Sequence, residues 1–82
     1  MKIYDMDGQR NISGERIYRM RTRKHITQAE LAARVQTTGV ILEQDAISRI
    51  ERGLRMVQDY ELRVLALVLG VSADWLMQED EK

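Results

Sequence analysis

Between Thr27 and Gly53 the chain reads as two short helices joined by a connector, and this pairing limits what the rest can fold into. The first half has the clearest helix start. Thr27-Gln28-Ala29-Glu30 has the form of a capping box, in which a threonine hydroxyl accepts the N–H three residues on and a glutamate reaches back. Ile26 and Leu31 flank it as a hydrophobic staple. Leu31, Ala32 and Val35 then share one face, and Ala32 is small enough to let another helix cross closely. In the second half, Gln44 to Arg52, Ile47 and Ile50 point inward, while Gln44, Asp45, Ser48 and Arg49 point outward. Glu43 stands at the N-cap, where its charge suits the helix dipole, and Gly53 ends the helix.

Three more helices are expected around this pair. One runs from Ser13 or Gly14 to about Lys24, with Ser13 as N-cap, Ile12 stapled onto Ile17, and Ile17 and Met20 as its core stripe. A second runs from about Asp59 to Leu69 and stops at Gly70, with Leu62, Leu65, Ala66 and Leu69 on its core face. A third starts at Ser72 as N-cap and carries Trp75 and Leu76 inward. No strand pattern competes, so the fold class is all-α, a compact five-helix bundle. Residues 1–11 lack helical periodicity and form an N-terminal arm, either loosely held or a short strand or partner-binding arm. Residues 12–77 are the folded domain, and residues 78–82 are an acidic C-terminal tail. The connector Gln36 to Leu42 holds Gly39 and three consecutive apolar residues, of which Leu42, with Val40 or Ile41, folds back onto the core.

Charge is neutral in sum but segregated. The chain of 82 residues has no cysteine and a formal net charge of +0. Arg16, Arg19, Arg21, Arg23 and Lys24 nevertheless crowd one stretch without an acid, while Asp74, Glu79, Asp80 and Glu81 gather near the other end. A basic face attracts a phosphate backbone even when the sum cancels. Without cysteine there is no disulfide or thiolate zinc site. The apolar run Val64 to Val71 is too short to cross a membrane, and acidic residues stand where a signal peptide needs an apolar core. A cytoplasmic protein is the expectation, with no membrane, metal or cofactor involved.

Catalysis has little to work with. His25 is the sole histidine and sits at a helix junction among cations, where it meets solvent or phosphate and lacks the orienting partner a general base needs. The cluster Glu79, Asp80 and Glu81 reads as a solvated tail. No phosphate-cradling glycine loop or metal-ligand spacing is present, so an enzyme is not expected. Nucleic-acid recognition fits better. A short helix braced by another can enter the major groove and present its N-terminal side chains to base edges. Gln44 would pair with adenine; Asp45 would accept from cytosine or hold Gln44 or an arginine in place. Ser48 and Arg49 follow one turn on, and the competing reading of this surface is an ordinary solvated helix face.

The motif order resolves that choice. Gln28-Ala29-Glu30-Leu31-Ala32, then Ile47-Ser48-Arg49-Ile50-Glu51-Arg52-Gly53, then Leu69-Gly70-Val71-Ser72 and Asp74-Trp75-Leu76 resemble the Cro/CI-type (XRE) helix-turn-helix repressors of phages and bacteria. The resemblance covers about Ser13 to Met77. It implies a lambda-repressor-like DNA-binding domain, usually a homodimer on a double-stranded DNA operator. It also implies that Gln44, Asp45, Ser48 and Arg49 read bases and that Gln28 binds phosphate through its side chain and the helix N-terminus. In lambdoid repressors an arginine of the first helix pairs with a glutamate near the end of the third, here Arg21 and Glu51. Arg21 borders the Ile17/Met20 stripe and Glu51 follows Ile47 by one turn, so a partly buried pair fits the local pattern.

The chain departs from the family in two places. Gln36 stands where the family's turn has glycine, and the connector is longer; it bulges outward or touches DNA backbone or a second subunit. Val64, Leu67 and Val68 are apolar opposite the core stripe of their helix, and are either covered by the tail or arm or form a homodimer patch. The sequence therefore points to a sequence-specific DNA-binding transcriptional regulator, a repressor. Arg16, Arg19, Arg23, Arg52 and Arg55 are candidate phosphate contacts, their alternative being a solvated basic face. The alternative function is an antitoxin-like or other protein-interaction module, suggested by the apolar surplus at Val40–Leu42 and Val64/Val68 with the acidic tail.

Overall fold

A computed structural model describes residues 8–79. Among them the regular elements are five helices in an all-α arrangement: α1 (Gly14–Arg23), α2 (Gln28–Gln36), α3 (Gln44–Glu51), α4 (Asp59–Leu69) and α5 (Ala73–Met77). The core is aliphatic. Ile17 of α1, Leu31 and Val35 of α2, Ile47 and Ile50 of α3, Leu65 and Leu69 of α4 and Leu76 of α5 are all fully buried. Ile26, before the α2 capping box, is also buried and fills the junction between α1 and α2. Each helix therefore donates the face that its 3.6-residue periodicity marks as apolar.

The starts of α2 and α5 follow their local chemistry. Thr27 Oγ1 accepts from Glu30 N at 3.0 Å and Glu30 Oε1 accepts from Thr27 N at 2.9 Å. These bonds from Thr27 hold the Glu30 carboxyl below the usual carboxylate range. Ser72 Oγ accepts from Trp75 N at 3.0 Å. The start of α1 differs from expectation. Ser13 is buried and makes no side-chain cap, and Ile12, expected as a staple, lies 53% exposed. Asn11 supplies the cap instead, its Oδ1 accepting from Gly14 N at 2.7 Å.

That same asparagine reaches across the molecule. Asn11 Nδ2 donates to the carbonyls of Ile50 at 3.0 Å and Arg55 at 2.8 Å, and Arg10 N donates to Gly53 O at 2.9 Å. Residues 10 and 11, assigned from sequence to an arm, are thus pinned to the end of α3; residues 1–7 lie outside the described residues. Gly14 is required by the same contact. A Cβ there would stand 2.0 Å from Ile50 O, so α1 rests directly on the last carbonyls of α3. Gly53 then turns the chain out of α3 with φ 74, in a Schellman closure completed by Leu54 N to Arg49 O at 2.8 Å.

The long connector is held by local hydrogen bonds. Thr37 and Thr38 hydroxyls donate to Arg34 O and Val35 O, each at 2.6 Å, and Gly39 turns with φ 94. Leu42 is buried and Val40 packs against the core, whereas Ile41 points out at 69% exposure. Having put Leu42 inside, an extended segment must turn its neighbour outward.

Candidate nucleic-acid interface

α3 is a short helix of 8 residues held on its inner side by Ile47 and Ile50. Its outer side is polar. Gln44, Asp45 and Arg49 are exposed and Ser48 is half-buried. Asp45 and Arg49 face each other one turn apart, with Oδ2 3.2 Å from Nε. Glu43 precedes the helix in extended backbone and makes no side-chain cap, so only its charge favours the helix N-terminus.

The orientation of α3 is set by a charged node beneath it. Arg21 of α1 donates to Glu51 of α3 twice, Nε to Oε2 at 2.6 Å and Nη2 to Oε1 at 2.9 Å. Arg21 Nη1 donates to Ile26 O at 2.8 Å, so the guanidinium also fixes the chain entering α2. Gln28, the first residue of α2, donates from Nε2 to Glu51 Oε1 at 3.0 Å. One buried carboxylate thereby ties α1, α2 and α3 together. Its hydrogen bonds to Arg21 hold that guanidinium more firmly protonated than usual, against the opposing effect of burial. Geometry of this kind, bidentate and nearly dry, is the strong form of an ion pair.

Gln28 was expected to reach phosphate through its side chain, but its amide nitrogen faces Glu51. Arg55 was expected on phosphate as well, and the structure assigns its guanidinium elsewhere. Nη1 and Nη2 donate to Glu61 Oε1 and Oε2 at 2.9 and 3.2 Å, and Nη1 also to Met56 O at 2.9 Å. Glu61 is buried and additionally accepts from Gln58 N at 2.9 Å. Burial pushes the Glu61 carboxyl up, but the hydrogen bonds from Arg55 and Gln58 with the charge of Arg55 outweigh it and hold the carboxyl below the usual range. A buried carboxylate needs its cation more than a phosphate does, since removing one partner strands the other.

The other cations are distributed over the surface. Arg16 stacks over Trp75, its guanidinium carbon 4.5 Å from the ring centroid, and so joins α1 to α5. Arg19 reaches Glu15 at 3.4 Å. Arg23 is exposed, as is Arg52, whose Nε donates to Ser48 O at 3.3 Å. Arg10, absent from the sequence-based set, lines an open groove of about 480 Å³ with Asp45, Ala46, Arg49 and Arg55. A second groove of about 410 Å³ separates α2 from the start of α3, between Ala29, Ala33, Ile41, Glu43 and Gln44. The expected dimer patch is narrower than its sequence suggests: Val64 and Val68 are half-buried against the core, and only Leu67 stands out, at 70% exposure. His25 is exposed at the α1–α2 junction in left-handed backbone, φ 57. Among the described residues no group of three or more His, Cys, Asp or Glu could hold a metal, and no helix is long and apolar enough to cross a membrane.

A braced helix with an exposed polar face, preceded by a capped helix, is the geometry of the motif, and a helix-turn-helix family profile matches residues 17–76. The chain belongs to the helix-turn-helix family. It is of the XRE type that its motifs resemble. This helix-turn-helix chain is similar to the P22 c2 repressor protein, whose crystal structure was determined in complex with synthetic operator 9T in the presence of Tl+. The two are 31% identical and superpose with a TM-score of 0.72, covering 85% of this chain and 98% of the other. No curated protein sequence matches. In helix-turn-helix terms α2 and α3 are the two helices of the motif.

Asn11, Glu61 and the stacking of Arg16 on Trp75 were missed from sequence. Gln58-Asp59-Tyr60-Glu61 has the spacing of a capping box with glutamine in place of serine, a signal that would have found Glu61. Asn11 could have been read as a cap three residues before Gly14, but its partners 39 and 44 residues away leave no local trace.

Proposed function

We propose that the protein is a sequence-specific, double-stranded DNA-binding transcriptional regulator, a repressor, that places α3 in the major groove. The observation that carries this reading is the outward face of Gln44, Asp45, Ser48 and Arg49 on a helix whose pose is locked by Glu51. The relation to a repressor solved on operator DNA supports it. Gln44, at the front of α3, pairs with adenine N6 and N7; Ser48 and Arg49 read the following bases. Arg19, Arg23 and Arg52 are the phosphate contacts, with Arg16 limited by its stacking on Trp75 and Arg10 added at the groove beside Arg49. Gln28 contributes through the N-terminus of α2, its side chain steadying Glu51 instead.

The protein acts as a homodimer in the cytoplasm, with Leu67 as the centre of the patch between α4 helices. The antitoxin-like alternative loses most of its support, because Leu42 is buried and Val40, Val64 and Val68 pack on the core. Selection from randomised duplexes tests the reading. An enriched palindrome is expected, its half-site spacing reporting the dimer, and Gln44→Ala should relax one base pair by about 1–3 kcal/mol. No enriched motif would sink the proposal, and a monomer by sedimentation with and without DNA would remove the dimer.

A further inference from the structure

The ion pair between Asp45 and Arg49 lies in the open, on the part of α3 assigned above to the bases. Its side chains are 75% and 59% exposed, so it adds little to stability. Its effect is geometric. A guanidinium is a rigid planar fork, and Asp45 Oδ2 occupies the Nε edge at 3.2 Å. That contact does not use the edge formed by Nη1 and Nη2, and two parallel N–H groups of that kind match O6 and N7 of guanine. Charge acts in the same direction. The groove that Asp45 and Arg49 line also holds Arg10, so an unaccompanied arginine there would be drawn with it towards phosphate. A carboxylate beside Arg49 repels phosphate and favours the base edge.

Resting on the DNA-binding reading of α3, we infer that Asp45 and Arg49 form one guanine reader, in which Arg49 contacts the base and Asp45 is a positioning residue. Asp45 is then not an independent cytosine contact. The pair demands a G·C pair at one place in each half-site, and its specificity depends on the acid as much as on the base.

The test uses the motif selected by the wild-type chain. Dissociation constants are measured for wild type, Arg49→Ala, Arg49→Lys and Asp45→Ala against the four base pairs at each position, at several salt concentrations. Arg49→Ala should lose the preference for one G·C pair by roughly tenfold to a hundredfold while keeping the wild-type salt slope. Arg49→Lys, which lacks the fork, should lose most of it too. Asp45→Ala should weaken the same preference and no other, and at the same time bind unrelated duplexes more tightly, because a negative charge has left the interface. Melting curves of the Asp45 and Arg49 variants should stay close to wild type. If Arg49→Ala weakens all sequences alike and lowers the log–log salt slope by about one, Arg49 is on phosphate and the inference is wrong. Full retention of the G·C preference in Asp45→Ala overturns the positioning role. A wild-type chain that enriches nothing overturns the DNA-binding reading and this inference with it; an enriched motif that Arg49→Ala still reads overturns the inference alone.

Discussion

Replacing Glu51 with alanine would strand two groups at once. The Glu51 side chain is 4% exposed and accepts from Arg21 Nε, Arg21 Nη2 and Gln28 Nε2 at 2.6, 2.9 and 3.0 Å. The Arg21 side chain is 11% exposed, so its charge would stay in place with only one remaining hydrogen-bond partner, Ile26 O, and the Tyr18 ring 5.5 Å away. Breaking a buried pair by removing one partner costs on the order of 3–5 kcal/mol. For a domain of this size each kcal/mol lowers Tm by about 4–8 °C, so the variant should melt at least roughly 12 °C below wild type. Circular dichroism melting and urea titration read this directly. Arg21→Met, which removes the guanidinium while keeping a long apolar stem, leaves the Glu51 carboxylate buried and should be comparably damaging. Arg21→Met combined with Glu51→Leu removes both charges and should recover much of the loss, since matched apolar replacement of buried pairs is often neutral. A Glu51→Ala chain that melts within about 4 °C of wild type would show that the node does not brace α3.

Three further outcomes follow from the packing. Gly14→Ala would drive a Cβ to 2.0 Å from Ile50 O, and its stability should fall by about 2 kcal/mol or more, measured by urea midpoint. His25 holds left-handed backbone at φ 57 in the closure of α1, so His25→Gly should stabilise by roughly 0.5–1 kcal/mol; a lower Tm would contradict that assignment of strain. Acid should destabilise the fold through Glu61 and Glu30, whose carboxyls are held below their ordinary range. A depressed carboxyl contributes stability that is present above its unfolded value and lost as pH falls through the folded one. The urea midpoint should therefore be flat from pH 7 to about 5 and drop below about pH 4, and Glu61→Gln should start lower and drop less.

The elements that local chemistry specifies were readable in the chain. Thr27-x-x-Glu30 marks the start of α2, Gly53 and Gly70 mark the ends of α3 and α4, and the isoleucine and leucine stripes mark the core. Contacts that depend on tertiary placement were not. Asn11 bonds to carbonyls at the end of α3, and Gly14 is small because a backbone carbonyl lies against it; neither reason is periodic. Arg55 and Glu61 are six residues apart across a non-helical turn, a spacing that no helix-face rule connects. Arg55 therefore looked like one more surface cation. The same limit applies to Gln28, whose side chain turns inward only because α3 brings Glu51 within reach. For Ile12, a cap from Asn11 replaced the expected Ser13 cap and moved the staple position into solvent.

The central claim, that α3 meets DNA through its outer face, is tested most directly by amide NMR shifts during titration with a selected duplex and with a scrambled one. Shift changes specific to the selected duplex should concentrate at Gln44, Asp45, Ser48 and Arg49, with smaller, sequence-independent changes at Gln28 and the exposed arginines. Changes confined to α4 around Leu67, or identical changes with both duplexes, would contradict it.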